Sequence, residues 1–235
     1  MFTFWDDVKL RNTRIIHDPT SLPWHIGKNY DELKQLHPGN YKKNELSWVT
    51  SNATNKEGHR LRMSFLAALQ ANNFPLHLYG RGFQPIDDKF DGIFPYKYSL
   101  AIENYSCNDY WTEKLADCFL SWTLPFYYGC TNVLNYFPAD SIIAIDPADP
   151  DKSMRIIQEA IQQDAWQQRL NALEEARNLV LERYQFFPAL ADKIRKANLT
   201  TATQRKLIPG CTSEGLIQFS RKEQIRTQIV NLLRR

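Results

Sequence analysis

Neither of the two glycine-rich fingerprints that most readily mark a nucleotide site occurs in this sequence. There is no G-x-G-x-x-G and no G-x-x-x-x-G-K-[ST], so a bound phosphate must be met by side chains. Cysteine is scarce: Cys107, Cys118, Cys130 and Cys211 form no C-x-x-C pair and have no histidine at ligand spacing. That excludes the usual zinc patterns and a secreted disulfide framework, leaves reduced core or near-core thiols, and gives no reason to expect a metal. No apolar run reaches the ~18 residues a membrane helix needs. The opening MFTFWDDVKLRNTR places Asp6 and Asp7 directly after a short apolar start, unlike a signal peptide. A cytoplasmic protein is expected, and the N-x-[ST] matches at Asn52, Asn104 and Asn198 then read as chance. An excess of one charge is also missing: 29 Lys and Arg against 26 Asp and Glu leave +3, too little to imply nucleic acid. No repeat and no low-complexity tract is visible.

The 235 residues are 43% hydrophobic and 13% aromatic, ample for a buried core. Residues 1–45 mix polar residues with Pro19, Pro23 and Pro38 and predict irregular structure with at most a short helix at 31–36. From Leu46 the pattern changes. Residues 46–51 (LSWVTS), 75–80 (PLHLYG), 98–103 (YSLAIE), 124–129 (LPFYYG) and 141–146 (SIIAID) read as strands. Between the first two, Leu61, Phe65, Ala68 and Leu69 recur at helical spacing, and Leu115, Cys118, Phe119 and Trp122 do so over 112–122. A short helix is expected at 131–135. Strands of five or six residues alternating with helices predict right-handed βαβ units and a doubly wound parallel α/β sheet. Helices are then expected at 151–163, 164–184, 189–198 and 221–233. The domain reading is an irregular segment at 1–45, an α/β domain at 46–198 and a helical tail at 199–235.

In an open parallel sheet, ligands bind beyond the carboxyl ends of the strands, commonly with an anion at a helix N-terminus. The segment leaving the third strand, ENYSCNDYWTEK at 103–114, is crowded with polar and aromatic side chains and runs into a helix. It can stack a base on Tyr110 or Trp111, hydrogen-bond it through Asn104, and present Glu113 and Lys114 at the first helical turn. The plainer alternative makes Asp109 or Thr112 an N-cap and Glu113 a partner of the helix dipole. Other cations at this edge are His59, Arg60 and Arg62. Arg60 and Arg62 are two apart, so only one of them faces the crevice easily.

YKYSLAIEN at 96–104, YWTEKL at 110–115 and LPFYYG at 124–129 resemble, in order, the hallmark blocks of the family 10 fucosyltransferases. Ser51-Asn52 with Arg62, and Tyr79-Gly80-Arg81, are similar to that family's upstream segments. The resemblance covers about residues 47–146. It implies an inverting transferase of Rossmann-like half-domains (a GT-B fold) that takes fucose from GDP-fucose to a glycan hydroxyl, with no cofactor required. By the same resemblance Arg62 and Lys114 hold the diphosphate, Glu113 contacts ribose or fucose, and Asn104 and Tyr110 lie near the nucleotide. Ile102 stands where the family has phenylalanine, and Tyr105 precedes Ser106 where serine usually follows E-N directly.

Family members carry a further α/β domain that binds the acceptor and supplies a carboxylate base. Residues 1–45 are too short to be that domain, and Asp6, Asp7, Asp18, Asp31 and Glu32 match no motif there, so the base is unassigned. The alternative function is a nucleotide-sugar-binding module, or part of an enzyme, without catalysis of its own. Residues 221–235 (RKEQIRTQIVNLLRR) place Ile225, Ile229, Leu232 and Leu233 on one helical face and basic residues largely elsewhere. Such a helix packs on its own domain or lies on the inner, anionic face of a membrane, where a lipid-linked acceptor sits.

Overall fold

The computed structural model describes residues 24–39 and 41–196. Five parallel strands form one sheet: β1 (Lys43–Val49), β2 (His77–Tyr79), β3 (Tyr96–Ile102), β4 (Leu124–Tyr128) and β5 (Ile143–Ala144), in the spatial order β2-β1-β3-β4-β5. The expected doubly wound α/β fold is present, and the order reverses between β1 and β3, which is its topological switch point. The strand register runs Leu46 opposite Tyr98, and Tyr98 opposite Leu124. β3 is central and buried on both faces, which is why YKYSLAI reads as a near-continuous apolar run. Pro125 has no N–H to give to a ladder; it precedes the two residues, Phe126 and Tyr127, that pair with the short edge strand β5.

Helices cover both faces. α1 (Tyr30–Gln35) is closed by a capping box in which the Asn29 side chain accepts from the Glu32 N–H and Glu32 accepts from the Asn29 N–H. It drives Leu33 into the common core with Ile26, so the stretch just before β1 packs against the sheet domain. α2 (Glu57–Ala71) buries Arg62, Phe65, Leu66 and Leu69. α3 (Lys89–Ile93) is a single turn capped by the Asp88 carboxylate accepting from the Phe90 N–H; its five residues are too few to show a period in the sequence. α4 (Glu113–Leu120) buries every residue from Leu115 to Leu120 against the sheet. α5 (Pro150–Gln162) begins at the Asp149 cap with Pro150 in its first turn.

The continuous helix expected over 164–184 is instead three pieces: α6 (Ala165–Gln168), α7 (Leu170–Asn178) and a π-helical turn (Leu179–Arg183), followed by α8 (Phe186–Lys196). Tertiary anchors break it. Asp164 takes a left-handed φ of 47°, which lets Trp166 turn inward and donate to the Trp122 carbonyl at 2.8 Å. Arg169 leaves helical geometry and reaches the Ile142 carbonyl at 3.2 Å. Cys118 and Cys130 are buried thiols and Cys107 is half-buried. Among the described residues no helix is long and apolar enough to cross a membrane. Asp6, Asp7, Asp18, Cys211, Asn198 and the helix expected at 221–233 lie outside the described residues.

Candidate functional site

The carboxyl ends of β1, β2 and β3 open onto a cleft of about 1040 Å³, at the upper end of the range for ligand pockets. Thr50, Asn52 and Asn55 after β1, Gly80 and Arg81 after β2, and Asn104 after β3 line it together with His59 and Arg62 of α2 and Glu113 and Lys114 of α4. The cleft therefore sits at the switch point. α2 meets the loop after β3 at close range, because a Cβ on Gly58 would lie 1.7 Å from the Asn104 carbonyl oxygen. A side chain at residue 58 would push the two apart.

Four of the five residues assigned from the resemblance come together here. Arg62 is buried, and its Nε has no hydrogen-bond partner. Burial pushes its guanidinium below the ordinary value, and the attraction of Glu103 only partly offsets this. Of the pair Arg60 and Arg62, Arg62 is the one that faces the cleft; Arg60 is exposed, 3.3 Å from the Thr54 carbonyl. The Asn104 Oδ1 is likewise buried without a partner. Thr50 Oγ1 is a third such atom in the same cleft; buried polar atoms normally find partners, so these orphans mark where a ligand's donors and acceptors fit.

Lys114 and Glu113 are more heavily engaged than the sequence suggested. Glu103, for which no role follows from the sequence blocks, is fully buried and accepts from the Thr112 N–H at 2.8 Å and from the Thr112 hydroxyl at the same distance. Lys114 Nζ donates to Glu103 Oε2 at 3.2 Å, to Thr112 Oγ1 at 3.2 Å and to Glu113 Oε1 at 3.4 Å. Burial alone would lower the Lys114 ammonium, but Glu103 and Glu113 outweigh it and leave the group raised. Burial pushes Glu113 upward, yet Lys114 and Lys89 together hold it below its ordinary value. Both groups are thus charged at neutral pH.

Thr112 is the N-cap of α4, and Glu113 and Lys114 in the turn it caps line the cleft. Tyr110 is not among the side chains lining the cleft, yet its phenol is near enough to interact electrostatically with Arg62, Lys114 and Glu113. It is half-buried and meets Tyr105 edge-on with ring centroids 6.5 Å apart. Trp111, the alternative stacking platform, belongs to the core, packed edge-on to Tyr136, Phe137 and Tyr184. Asp109 is turned away to the loop's own support, accepting from Asn132 Nδ2 at 2.7 Å.

A second wall of the cleft comes from residues that no motif pointed to. The His25 N–H donates to Asp117 Oδ1 at 2.8 Å and the Gly27 N–H to Asp88 Oδ1 at 2.9 Å, strapping the segment before α1 along the cleft. Lys89 lies 3.4 Å from Asp117 Oδ2 and 3.6 Å from Glu113 Oε1. Burial pushes the Asp117 carboxyl up to about 7, against the pull of Lys89.

A family profile described as glycosyltransferase family 10 (fucosyltransferase), C-terminal part, matches residues 40–169. Among characterised proteins, GDP-fucose protein O-fucosyltransferase 3 of Danio rerio is 30% identical over 105 residues, covering 44% of this chain and 23% of that protein. The 4-galactosyl-N-acetylglucosaminide 3-alpha-L-fucosyltransferase 9 of Homo sapiens is 34% identical over 104 residues, covering 42% and 28%. The chain spans about a quarter of the length of these relatives. A crystal structure of an alpha1,3-fucosyltransferase with GDP-fucose aligns over 58% of this chain and 40% of that one, at 22% identity and a TM-score of 0.46.

Proposed function

The chain belongs to glycosyltransferase family 10, and from that premise we propose that its cleft binds GDP-fucose and that the protein transfers fucose to a glycan hydroxyl with inversion. The observation that carries this reading is the buried Arg62, whose Nε has no hydrogen-bond partner, at the switch point beside Lys114 and Asn104. A buried guanidinium without a partner is costly unless an anion completes it. A diphosphate supplies that anion, and charge-assisted contacts of about 1.5–3 kcal/mol each favour the departing GDP as its negative charge grows.

In this reading the acceptor oxygen attacks the fucose anomeric carbon from the face opposite GDP. The carbon–phosphate oxygen bond breaks, GDP leaves on Arg62 with the Lys114 ammonium adding its charge from its place beside Glu103, Thr112 and Glu113, and the acceptor proton passes to a base. Asn104 reads the guanine and Glu113 the ribose or fucose. No residue is assigned as base. Asp31 and Glu32 stand on α1 and do not line the cleft, and Glu32 is occupied in the capping box. That observation favours a second reading, in which this chain is the donor-binding part and acceptor binding and the base come from elsewhere. The setting we infer is cytoplasmic; contact of residues 221–235 with an anionic membrane carrying a lipid-linked acceptor is the second choice beside their packing on their own domain.

Calorimetry with GDP, GDP-fucose, ADP and UDP, followed by incubation with labelled GDP-fucose and a glycan panel, tests both readings. Guanine-selective binding with multiple-turnover transfer supports the transferase. Selective binding with only slow hydrolysis supports the donor-binding part, and no binding of any guanine nucleotide removes both. Loss of guanine selectivity in Asn104→Ala is expected, and unchanged selectivity would count against the role of Asn104. Co-sedimentation with anionic and neutral vesicles, with and without residues 221–235, tests the membrane contact.

A further inference from the structure

This inference deepens the donor-site reading and rests on it. Four lysine and arginine side chains line the cleft, Arg62, Arg81, Lys89 and Lys114, and all but Arg81 also line a smaller cavity beneath it. They differ in what they have left to give. An ammonium has three N–H donors. Those of Lys114 are all committed, to Glu103, Thr112 and Glu113. Lys89 makes one hydrogen bond, to Asp117 Oδ2 at 3.4 Å, and stands 3.6 Å from Glu113 Oε1. Donors therefore remain on a side chain that is about a third exposed in the same cleft.

Its position is held from two sides. Asp88 caps α3 immediately before it and accepts from the Gly27 N–H as well. Glu113 and Asp117, one helical turn apart on α4, face its ammonium together. A lysine on a flexible stem ordinarily loses much rotamer freedom when it binds an anion, and two fixed carboxylates reduce that loss in advance. The carboxylates Asp87, Asp88 and Glu113 of the cleft wall, with Glu103 and Asp117 buried behind it, leave no excess of carboxylate-free cations, so selective donation, more than net charge, decides where an anion sits.

We propose that Lys89 is a further phosphate-contacting residue of the donor cleft, acting with Arg62 on the pyrophosphate of a nucleoside diphosphate sugar. Its ammonium turns its free N–H donors to the phosphate oxygens while keeping the contact with the α4 carboxylates.

The test titrates GDP and guanosine into the full chain and into Lys89→Met, Lys89→Arg and the double variant Lys89→Met/Asp117→Asn, with thermal melts alongside. The double variant avoids leaving Asp117 buried and unpaired. GDP affinity should fall about 10- to 100-fold in Lys89→Met and in the double variant, the loss of one charge-assisted contact. Guanosine affinity should change less than about twofold, and Lys89→Arg should retain most of the GDP affinity. A double variant that melts like wild type and binds GDP equally well overturns the assignment alone. An equal loss for guanosine and GDP overturns it as a phosphate contact. Absence of GDP binding in wild type overturns the donor-site reading, and this assignment with it.

Discussion

The Lys114 ammonium lies 3.2 Å from the carboxylate of Glu103, a side chain fully buried at the end of β3. Glu103 thereby ties the strand to the first turn of α4, since it also takes the Thr112 N–H and hydroxyl. Replacing it with alanine strands a buried N–H and removes the main counter-charge of Lys114. Glu103→Ala should lose about 3 kcal/mol of stability in urea unfolding, and Glu103→Gln, which keeps an acceptor for Thr112, clearly less. Equal stabilities for wild type and Glu103→Ala would refute this account of the strand–helix link.

Arg62→Met removes a buried guanidinium whose Nε has no partner while keeping an apolar stem in its place. Folding stability should be unchanged or raised by about 1 kcal/mol, since the desolvation cost disappears. GDP affinity should drop about 10- to 100-fold. Opposite signs for stability and binding identify a residue retained for its ligand, whereas a marked loss of stability would show an internal partner.

Gly58→Ala sets two effects against each other. Alanine gains about 1 kcal/mol of helix propensity over glycine, but its Cβ would meet the Asn104 backbone oxygen at 1.7 Å, an overpacking cost of about 3 kcal/mol. The clash should win. A lower melting temperature and weakened GDP binding are expected together, because the displaced backbone carries Asn104.

Asp117 gives a pH dependence whose sign is opposite to that of a salt-bridged surface carboxylate. Burial raises it from 3.8 to about 7 in the folded state, so between those values the native chain holds a proton that the unfolded chain has lost. Stability from this group is intact below about pH 4. It declines by about 1.4 kcal/mol per pH unit toward 7 and is flat above. The His25 N–H, Lys89 and Glu113 face the same carboxylate and are the same in both proteins compared. Asp117→Asn should therefore gain stability relative to wild type as pH rises from 5 to 7.5, measured by chemical denaturation; a constant difference would place the Asp117 carboxyl near its ordinary value.

Much of the scaffold was legible because its signals are local. Five β-like runs, the apolar spacing of α4 and the Thr112 cap each lie within a few residues of chain, and all recur in the fold. The pairing of Arg60 and Arg62 also resolved as helical geometry required. What periodicity missed was short or overridden. α3 spans five residues, and the Gln- and Glu-rich stretch after Asp164 has the composition of one long helix, yet Trp166 and Arg169 are drawn to Trp122 and Ile142 across the domain.

The sequence by itself determined the alternation that makes the sheet parallel, the family blocks at 96–129, and the identity of Arg62, Asn104, Glu113 and Lys114 as residues worth locating. Only the tertiary structure decided how those residues share the work. It put Trp111 into an aromatic core, set Tyr110 edge-on to Tyr105, and left the Arg62 Nε without a partner while committing every Lys114 donor. It also brought His25 and Lys89 to Asp117 from 92 and 28 residues away. Burial and pairing of charge depend on neighbours far apart in the chain, and spacing along one segment does not encode them.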